Sequence, residues 1–311
     1  MSTTNLLVSW NEGTTKDNIT NYITDVTNEE SENFIPVEDR IATFDNDGTL
    51  WSEKPNYFQV YFMAYSVKAK APNNPKLRAM KFVQEILDGD KETLHHLSQK
   101  DIVQLLAAAY ENETTTEFEA SVNAWLVEDR HPEEGVPFTD LIYQPMLELM
   151  DYLRANQFKV FMVSGGGMDF IRPWSYQYYT IPRNAVMGTN VVTVYDDNGG
   201  DPVIRRLDEI NFVDDKEGKP VGIHRLIGKK PVFACGNSDG DLQMMRWADS
   251  NDYASFQLYL HHNDAVREWA YDRDSNSGQF DVGWDEAIEK GWTVIEMATD
   301  WAKVFPEYVK G

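Results

Sequence analysis

Residues 41–50 read Ile-Ala-Thr-Phe-Asp-Asn-Asp-Gly-Thr-Leu, and this stretch decides the fold class. Ile41, Ala42 and Phe44 suit a buried central strand, which Asp45, Asp47 and Gly48 break at its carboxyl end. Open α/β sheets bind ligands at that end of their strands. Two carboxylates separated by one residue on such an exit can be aimed at a single cation or phosphate. The plain alternative is an ordinary acidic turn. A calcium loop is excluded, because its first position needs an acid and its twelfth a glutamate, where this chain has Thr43 and Lys54.

With 42 % apolar and 13 % aromatic residues, the 311-residue chain can fill one large domain, or a core with an inserted subdomain. A formal charge of -23 argues against nucleic acid and anionic membranes as partners, since no local basic patch offsets it. An acidic chain that handles an anion must supply positive charge locally, through a metal, a lysine or helix amino termini. Cys235 is the sole cysteine, so no intrachain disulfide forms. The first ten residues lack a basic segment followed by a long apolar one, and no run of about 18 apolar residues occurs. The expectation is a soluble, cytoplasmic protein, or a periplasmic or secreted one if a leader has been removed. Its oligomeric state is open.

Apolar spacing predicts a short amphipathic helix over 15–26 and a solvated acidic link over 28–33, making residues 1–40 an amino-terminal helical appendage packed on the core. From 52 to 137 the pattern is helical throughout, with helices expected over 57–67, 77–87, 102–109 and 118–126. The α/β pattern then resumes. Helices are expected over 144–155, 168–179 and 221–227, and strands over 159–163, 231–235, 256–260 and 292–297. Residues 191–195 and 203–207 flank Asp-Asp-Asn-Gly-Gly-Asp as a hairpin. The fold class is therefore α/β: a Rossmann-like parallel-sheet core over 41–51 and 138–311, interrupted by a helical insertion over 52–137.

Four chemistry-bearing pieces fall at successive strand ends. These are Asp45 with Asp47, then Ser164-Gly165-Gly166-Gly167, then a lysine near 219, then Gly236-Asn237-Ser238-Asp239-Gly240-Asp241. The glycines between a strand and a helix can cradle a phosphate at the helix amino terminus. Lys216, Lys219, Lys229 and Lys230 compete for the cationic role. Lys219 is preferred because it opens the helix leading to the last motif.

In order and context these pieces resemble the four motifs of the haloacid dehalogenase-like superfamily, in its phosphatase branch near phosphoserine-phosphatase-like proteins with a helical cap. The resemblance implies a magnesium-dependent phosphohydrolase cleaving a small phosphorylated metabolite through an aspartyl-phosphate. Asp45 would be nucleophile and metal ligand. Asp47 would be the proton donor and acceptor, reaching the metal through its backbone carbonyl, and Lys219 would balance charge. Thr49, Ser164, Gly165 and Gly166 would bind phosphate, while Glu53 and Arg172 lie close enough to touch substrate. Asp241 would be the surest downstream ligand for Mg²⁺. Asn237 departs from the family pattern, which has an acid there, and Asp239 is its candidate substitute. The 52–137 insertion resembles a cap, with Trp51, Tyr57 and neighbouring aromatics either lining its cavity or filling its core.

Two other classes compete. Gly236-Asn237-Ser238-Asp239-Gly240 satisfies Gly-x-Ser-x-Gly, the nucleophile elbow of serine hydrolases, with His261 or His262 downstream as base. That reading needs an acid between serine and histidine in chain order, leaves the aspartate pair unexplained and lacks a His-Gly-Gly-Gly-type oxyanion loop. A non-catalytic phosphate-ligand-binding protein with a weakened metal site is the third possibility. The adjacent pairs His95-His96 and His261-His262 lack the spacing of a zinc site.

Overall fold

The computed structural model describes residues 7–197 and 199–306. Residues 1–6, which hold most of the stretch read for a leader, lie outside it, as do Asn198 at the expected hairpin tip and 307–311. In chain order, α1 (Thr14–Thr27) precedes β1 (Ile41–Phe44). Next come α2 (Phe58–Lys70), α3 (Pro75–Arg78), α4 (Val83–Asp88), α5 (Lys91–His95), α6 (Gln99–Ala109) and α7 (Thr115–Glu128). The alternating part runs α8 (Gln144–Ala155), β2 (Lys159–Gly167), α9 (Met168–Tyr179), β3 (Val186–Asp196), β4 (Val203–Phe212), α10 (Gly218–Leu226) and β5 (Phe233–Gly236). It closes with α11 (Leu242–Asp249), β6 (Phe256–Asn263), β7 (Ala270–Tyr271), α12 (Val282–Lys290), β8 (Thr293–Glu296) and α13 (Met297–Asp300). Among the described residues no helix is long and apolar enough to cross a membrane.

The sheet order is β4-β3-β2-β1-β5-β6-β7, with β8 also paired to β6. All four residues of β1 are buried, as a strand covered on both faces requires. Its parallel neighbours place Phe44 beside Met162 of β2 and Cys235 of β5. Asp45 donates its backbone N–H to the Cys235 carbonyl at 2.9 Å. This register brings the loops after three strands to one end of the sheet, where the acids meet the glycines.

Two local expectations are corrected. Residues 77–87 do not form one helix, because Phe82 adopts a left-handed φ of 71° between α3 and α4. Each short piece buries its own apolar residues, Leu77 in one and Val83 with Ile86 in the other, so a continuous stripe is unnecessary. The glycines after Val163 do not form a turn either: β2 runs through to Gly167, with a register shift against β3 between Ser164 and Gly167. Gly188 makes this approach possible, since a Cβ there would lie 2.8 Å from the Gly166 carbonyl oxygen.

The helices from α2 to α7 are tied to the β3–β4 hairpin. Gln104 Nε2 donates to the Asp208 carbonyl, and backbone bonds join Asn112 to Arg206 and Arg206 to Glu113. Arg206 is buried, pairs with Asp169 and lies 3.9 Å over the Phe118 ring, so its charge is matched where it crosses the interface. At the other side, α1 buries Ile19, Ile23 and Val26 in the main core.

Candidate active site

β1 ends in Asp45 and Asp47, α10 supplies Lys219, and the loop after β5 supplies Asp241; all four side chains are buried. Lys219 Nζ donates to Asp45 Oδ1 and Asp241 Oδ1, both at 2.6 Å, and to the Val163 carbonyl at 3.0 Å. Burial opposes the lysine charge, but Asp241 and Asp45 override it and hold the ammonium above the usual lysine range. One cation cannot neutralise two buried carboxylates. Burial, then Asp241, accordingly push the Asp45 carboxyl well above its ordinary value against the pull of Lys219. Asp47 is raised to about 6 by burial, with a lowering contribution from the Trp51 indole, whose Nε1–H donates to Asp47 Oδ1 at 2.8 Å. A carboxyl in that range can give and take a proton near neutrality.

The glycine loop is tightly braced. Ser164 Oγ accepts from Gly166 N at 3.0 Å, and Gln59 Oε1 of α2 accepts from Gly167 N at 2.8 Å. Thr189 Oγ1 donates to the Gly165 carbonyl at 2.7 Å and accepts from Asp214 N at 3.1 Å. One hydroxyl thereby links the glycine loop to the segment that precedes Lys219. The Asp214 side chain is buried and neither carboxyl oxygen has a partner; burial pushes it to about 8.

Downstream acids are spent differently from the sequence expectation. Asp239 does not replace the acid absent at position 237. Its Oδ1 accepts from Asp281 N and Gly283 N at 3.0 and 2.7 Å, and its Oδ2 from Val282 N at 3.2 Å, which caps α12. Asp241 Oδ2 accepts from the backbone N–H groups of Asn237 and Ser238, so only its other oxygen reaches Lys219. Asn237 Oδ1 accepts from the Thr49 hydroxyl at 3.3 Å, and its Nδ2 donates to Glu53 Oε1 at 2.8 Å. Glu53 is buried, also accepts from the Tyr271 hydroxyl at 2.8 Å, and is raised to about 7 by burial. The acid missing at 237 thus has a counterpart one side chain further out.

Around these groups lies a cavity of about 480 Å³. Asp45, Asp47, Glu53, Gly165, Lys219 and Asp241 line it, while Thr49, Ser164, Gly166 and Asn237 sit behind its wall. Residues 95–100 with Tyr57 cover one side, and Asn276, Gly278 and Gln279 of the loop after β7 form another. Sequence reasoning offered Tyr57 as a cavity residue but missed residues 95–100, Asn276, Gly278 and Gln279, and missed Gln59 and Thr189, because residues that converge only in space carry no periodic signal. Trp51 had a legible neighbour in the Asp-x-Asp turn. It is fully buried against Trp174 at 4.6 Å between ring centroids, so it is a core residue that also orients Asp47.

Arg172 is not brought to the cavity. Its guanidinium donates to the carbonyls of Arg183 and Val186 and fastens α9 to the segment that enters β3. The serine-hydrolase arrangement is also absent among the described residues. Ser238 Oγ accepts from Gly240 N and faces Asp241, whereas His261 bonds Glu296 and His262 bonds Gly48 and Glu268.

The site was tested for a metal by its donors. Asp45, Asp47, Glu53 and Asp241 are buried carboxyls beside the Thr49 hydroxyl and the Asn237 amide, and Lys219 bonds two of them. That set suits a hard divalent cation such as Mg²⁺. No three His, Cys, Asp or Glu side chains are pre-assembled around one point among the described residues. Asn237 in place of an acid and the commitment of Asp241 to Lys219 and backbone amides account for this.

Residues 42–246 match the family model described as haloacid dehalogenase-like hydrolase. The chain belongs to that family of hydrolases, and the α/β core with its acidic strand exits is the family's fold. Among solved structures, it is similar to a conserved functionally unknown protein from Anaerococcus prevotii DSM 20548, at 16% identity and a TM-score of 0.57, over 85% of this chain and 89% of that one. A protein with unknown function from Bordetella pertussis Tohama I gives 14% identity and a TM-score of 0.52, over 83% and 98%. These establish shared fold. No curated protein matches.

Proposed function

We propose that this chain is a Mg²⁺-dependent phosphohydrolase that cleaves a small phosphomonoester through an aspartyl-phosphate on Asp45. The observation that carries the reading is Lys219 Nζ held at 2.6 Å from both Asp45 and Asp241 beside the braced glycine loop. Asp45 attacks phosphorus; as its O–P bond forms, the bond from phosphorus to the leaving oxygen breaks, and Asp47 gives that oxygen its proton. Water then attacks the aspartyl-phosphate, Asp47 accepts the water proton, and inorganic phosphate departs with the bond to Asp45 broken. Lys219 receives the charge of the phosphoryl oxygens beside Gly165, which lines the cavity. Asp45, the Asp47 backbone carbonyl, Asn237 and Asp241 would hold Mg²⁺, with Glu53 within reach of Asn237. A bound Mg²⁺ supplies neutralising charge between nucleophile and substrate.

A panel of phosphorylated metabolites and 4-nitrophenyl phosphate, assayed with Mg²⁺ and with chelator, tests the reading. Hydrolysis should require Mg²⁺, fall at least about a thousandfold in Asp45→Asn, as loss of a covalent nucleophile implies, and persist in Ser238→Ala. Equal rates for wild type and Asp45→Asn would overturn it. Binding of phosphate ligands without turnover would favour a non-catalytic binding protein.

A further inference from the structure

β6 continues to His262, beyond the residues that match the family model. The ring is buried and wedged under the nucleophile turn. Its Nε2 lies 2.7 Å from the Gly48 carbonyl oxygen, and its Nδ1 lies 3.1 Å from Glu268 Oε2. A carbonyl oxygen only accepts, so Nε2 must donate. Glu268 is loaded with donors: Ser52 Oγ and Tyr143 OH reach Oε1, each at 2.7 Å, and Trp269 N reaches Oε2 at 2.7 Å. Burial opposes the Glu268 charge, but the His262 ring and the Ser52 and Tyr143 hydroxyls hold its carboxyl below the usual range.

Other charged or titratable groups near this pair include Tyr271, Glu53, Lys54 and His131. Tyr271 stacks on the imidazole at 4.3 Å and donates to Glu53, while Lys54 Nζ lies 3.9 Å over the far Tyr271 ring. Gly48 itself has a φ of 75°, and a Cβ there would lie 2.0 Å from Asn237 Nδ2. Its peptide is the only link between Asp47 and Thr49, so the direction of its carbonyl sets how the turn presents both.

We propose that His262, braced on one side by Glu268, is a positioning residue whose Nε2–H fixes the Gly48 peptide and thereby aims Asp47 and Thr49 at one point. The kinetic consequence rests on the phosphohydrolase reading; the effect on the turn does not. The competing account is a buried ion pair that merely fastens residues 264–281 to the core.

The test uses the full chain as wild type, His262→Ala and His262→Gln. In the wild type, the ¹⁵N shift of His262 Nε2 should be that of a protonated nitrogen bonded to the Gly48 carbonyl. Amide exchange at Thr49 and Leu50 should quicken about tenfold or more in His262→Ala, with Ile295 in β8 unchanged, as local opening of one turn requires. His262→Gln, which keeps one donor for Gly48, should restore most of that protection. With 4-nitrophenyl phosphate and Mg²⁺, His262→Ala should lower kcat roughly tenfold to a hundredfold at a nearly constant KM, since misplacing the turn affects chemistry more than binding. An unprotonated Nε2 in the wild type, or exchange that rises equally at Thr49 and Ile295, would overturn the proposal. Turn exchange that stays unchanged in His262→Ala would count against His262 even in an active enzyme. An inactive wild type with the ring and exchange results as expected would instead strike only the phosphohydrolase reading.

Discussion

The turn after β1 and the loop after β5 are neighbours at one sheet end and nearly alike in composition, Asp-Asn-Asp-Gly against Asn-Ser-Asp-Gly-Asp. They use their acids in opposite ways. In the first, Asp45 and Asp47 meet only side chains, Lys219 and Trp51 among them, and burial raises both carboxyls. In the second, Asp239 and Asp241 satisfy five backbone N–H groups between them. A carboxylate saturated by amides is a structural cap, while one left facing a lysine and a cavity is poised for chemistry. Acidity in sequence does not separate the two; the direction of neighbouring N–H groups does.

The comparison breaks most severely at the residue that joins the two loops. Lys219→Met leaves Asp45 and Asp241 buried without their shared cation, and chemical denaturation should show a loss of about 3–5 kcal/mol together with loss of phosphatase activity. Unchanged stability would mean that the two loops do not depend on each other. Asp239→Ala should act on one loop only. Removing the cap of α12 should lower stability by about 1–2 kcal/mol, while the Mg²⁺ dependence of turnover stays within about twofold of wild type. A large change in Mg²⁺ dependence would restore Asp239 as a metal residue.

Smaller effects sharpen the contrast on the other side. Trp51→Phe removes the donor that lowers Asp47, so its carboxyl should rise further. Because Asp47 must be protonated to release the leaving group, the alkaline fall of kcat should move to higher pH by less than about one unit. A shift to lower pH would rule out this assignment of Asp47. Asp214 provides the smallest effect and a different readout. Its folded value of about 8 lies above the ordinary 3.8, so the folded state holds an extra proton between those values and stability falls as pH rises through them. Asp214→Asn should remove that slope, gaining roughly 2–4 °C in melting temperature relative to wild type between pH 5 and pH 8. Parallel pH profiles for the two proteins would show Asp214 to be paired with a group outside the described contacts.

Much of the scaffold was legible because it repeats. The apolar run before Asp45, the strand before Ser164 and the stripes of α8 and α9 carry period and punctuation that local chemistry imposes. Single positions without period were harder. Phe82 splits an expected helix through a left-handed φ, and Gly167 extends a strand where a turn was expected. Arg172 has the right charge and distance in sequence for an anion, yet two backbone carbonyls claim it. Its fate depends on where β3 begins, which is a tertiary fact.

The sequence by itself determined the α/β class, the acids at a strand exit and the lysine in the helix ahead of the last motif, since these follow from hydrophobic period and residue chemistry along one segment. Only the tertiary structure decided which partners those acids take. It turned Asp239 and Asp241 toward backbone amides, brought Glu53 to Asn237, and set His262 and Glu268 beneath Gly48 from more than two hundred positions away. The physical reason is that a buried polar group must find a partner, and which partner it finds is fixed by the packing of distant segments.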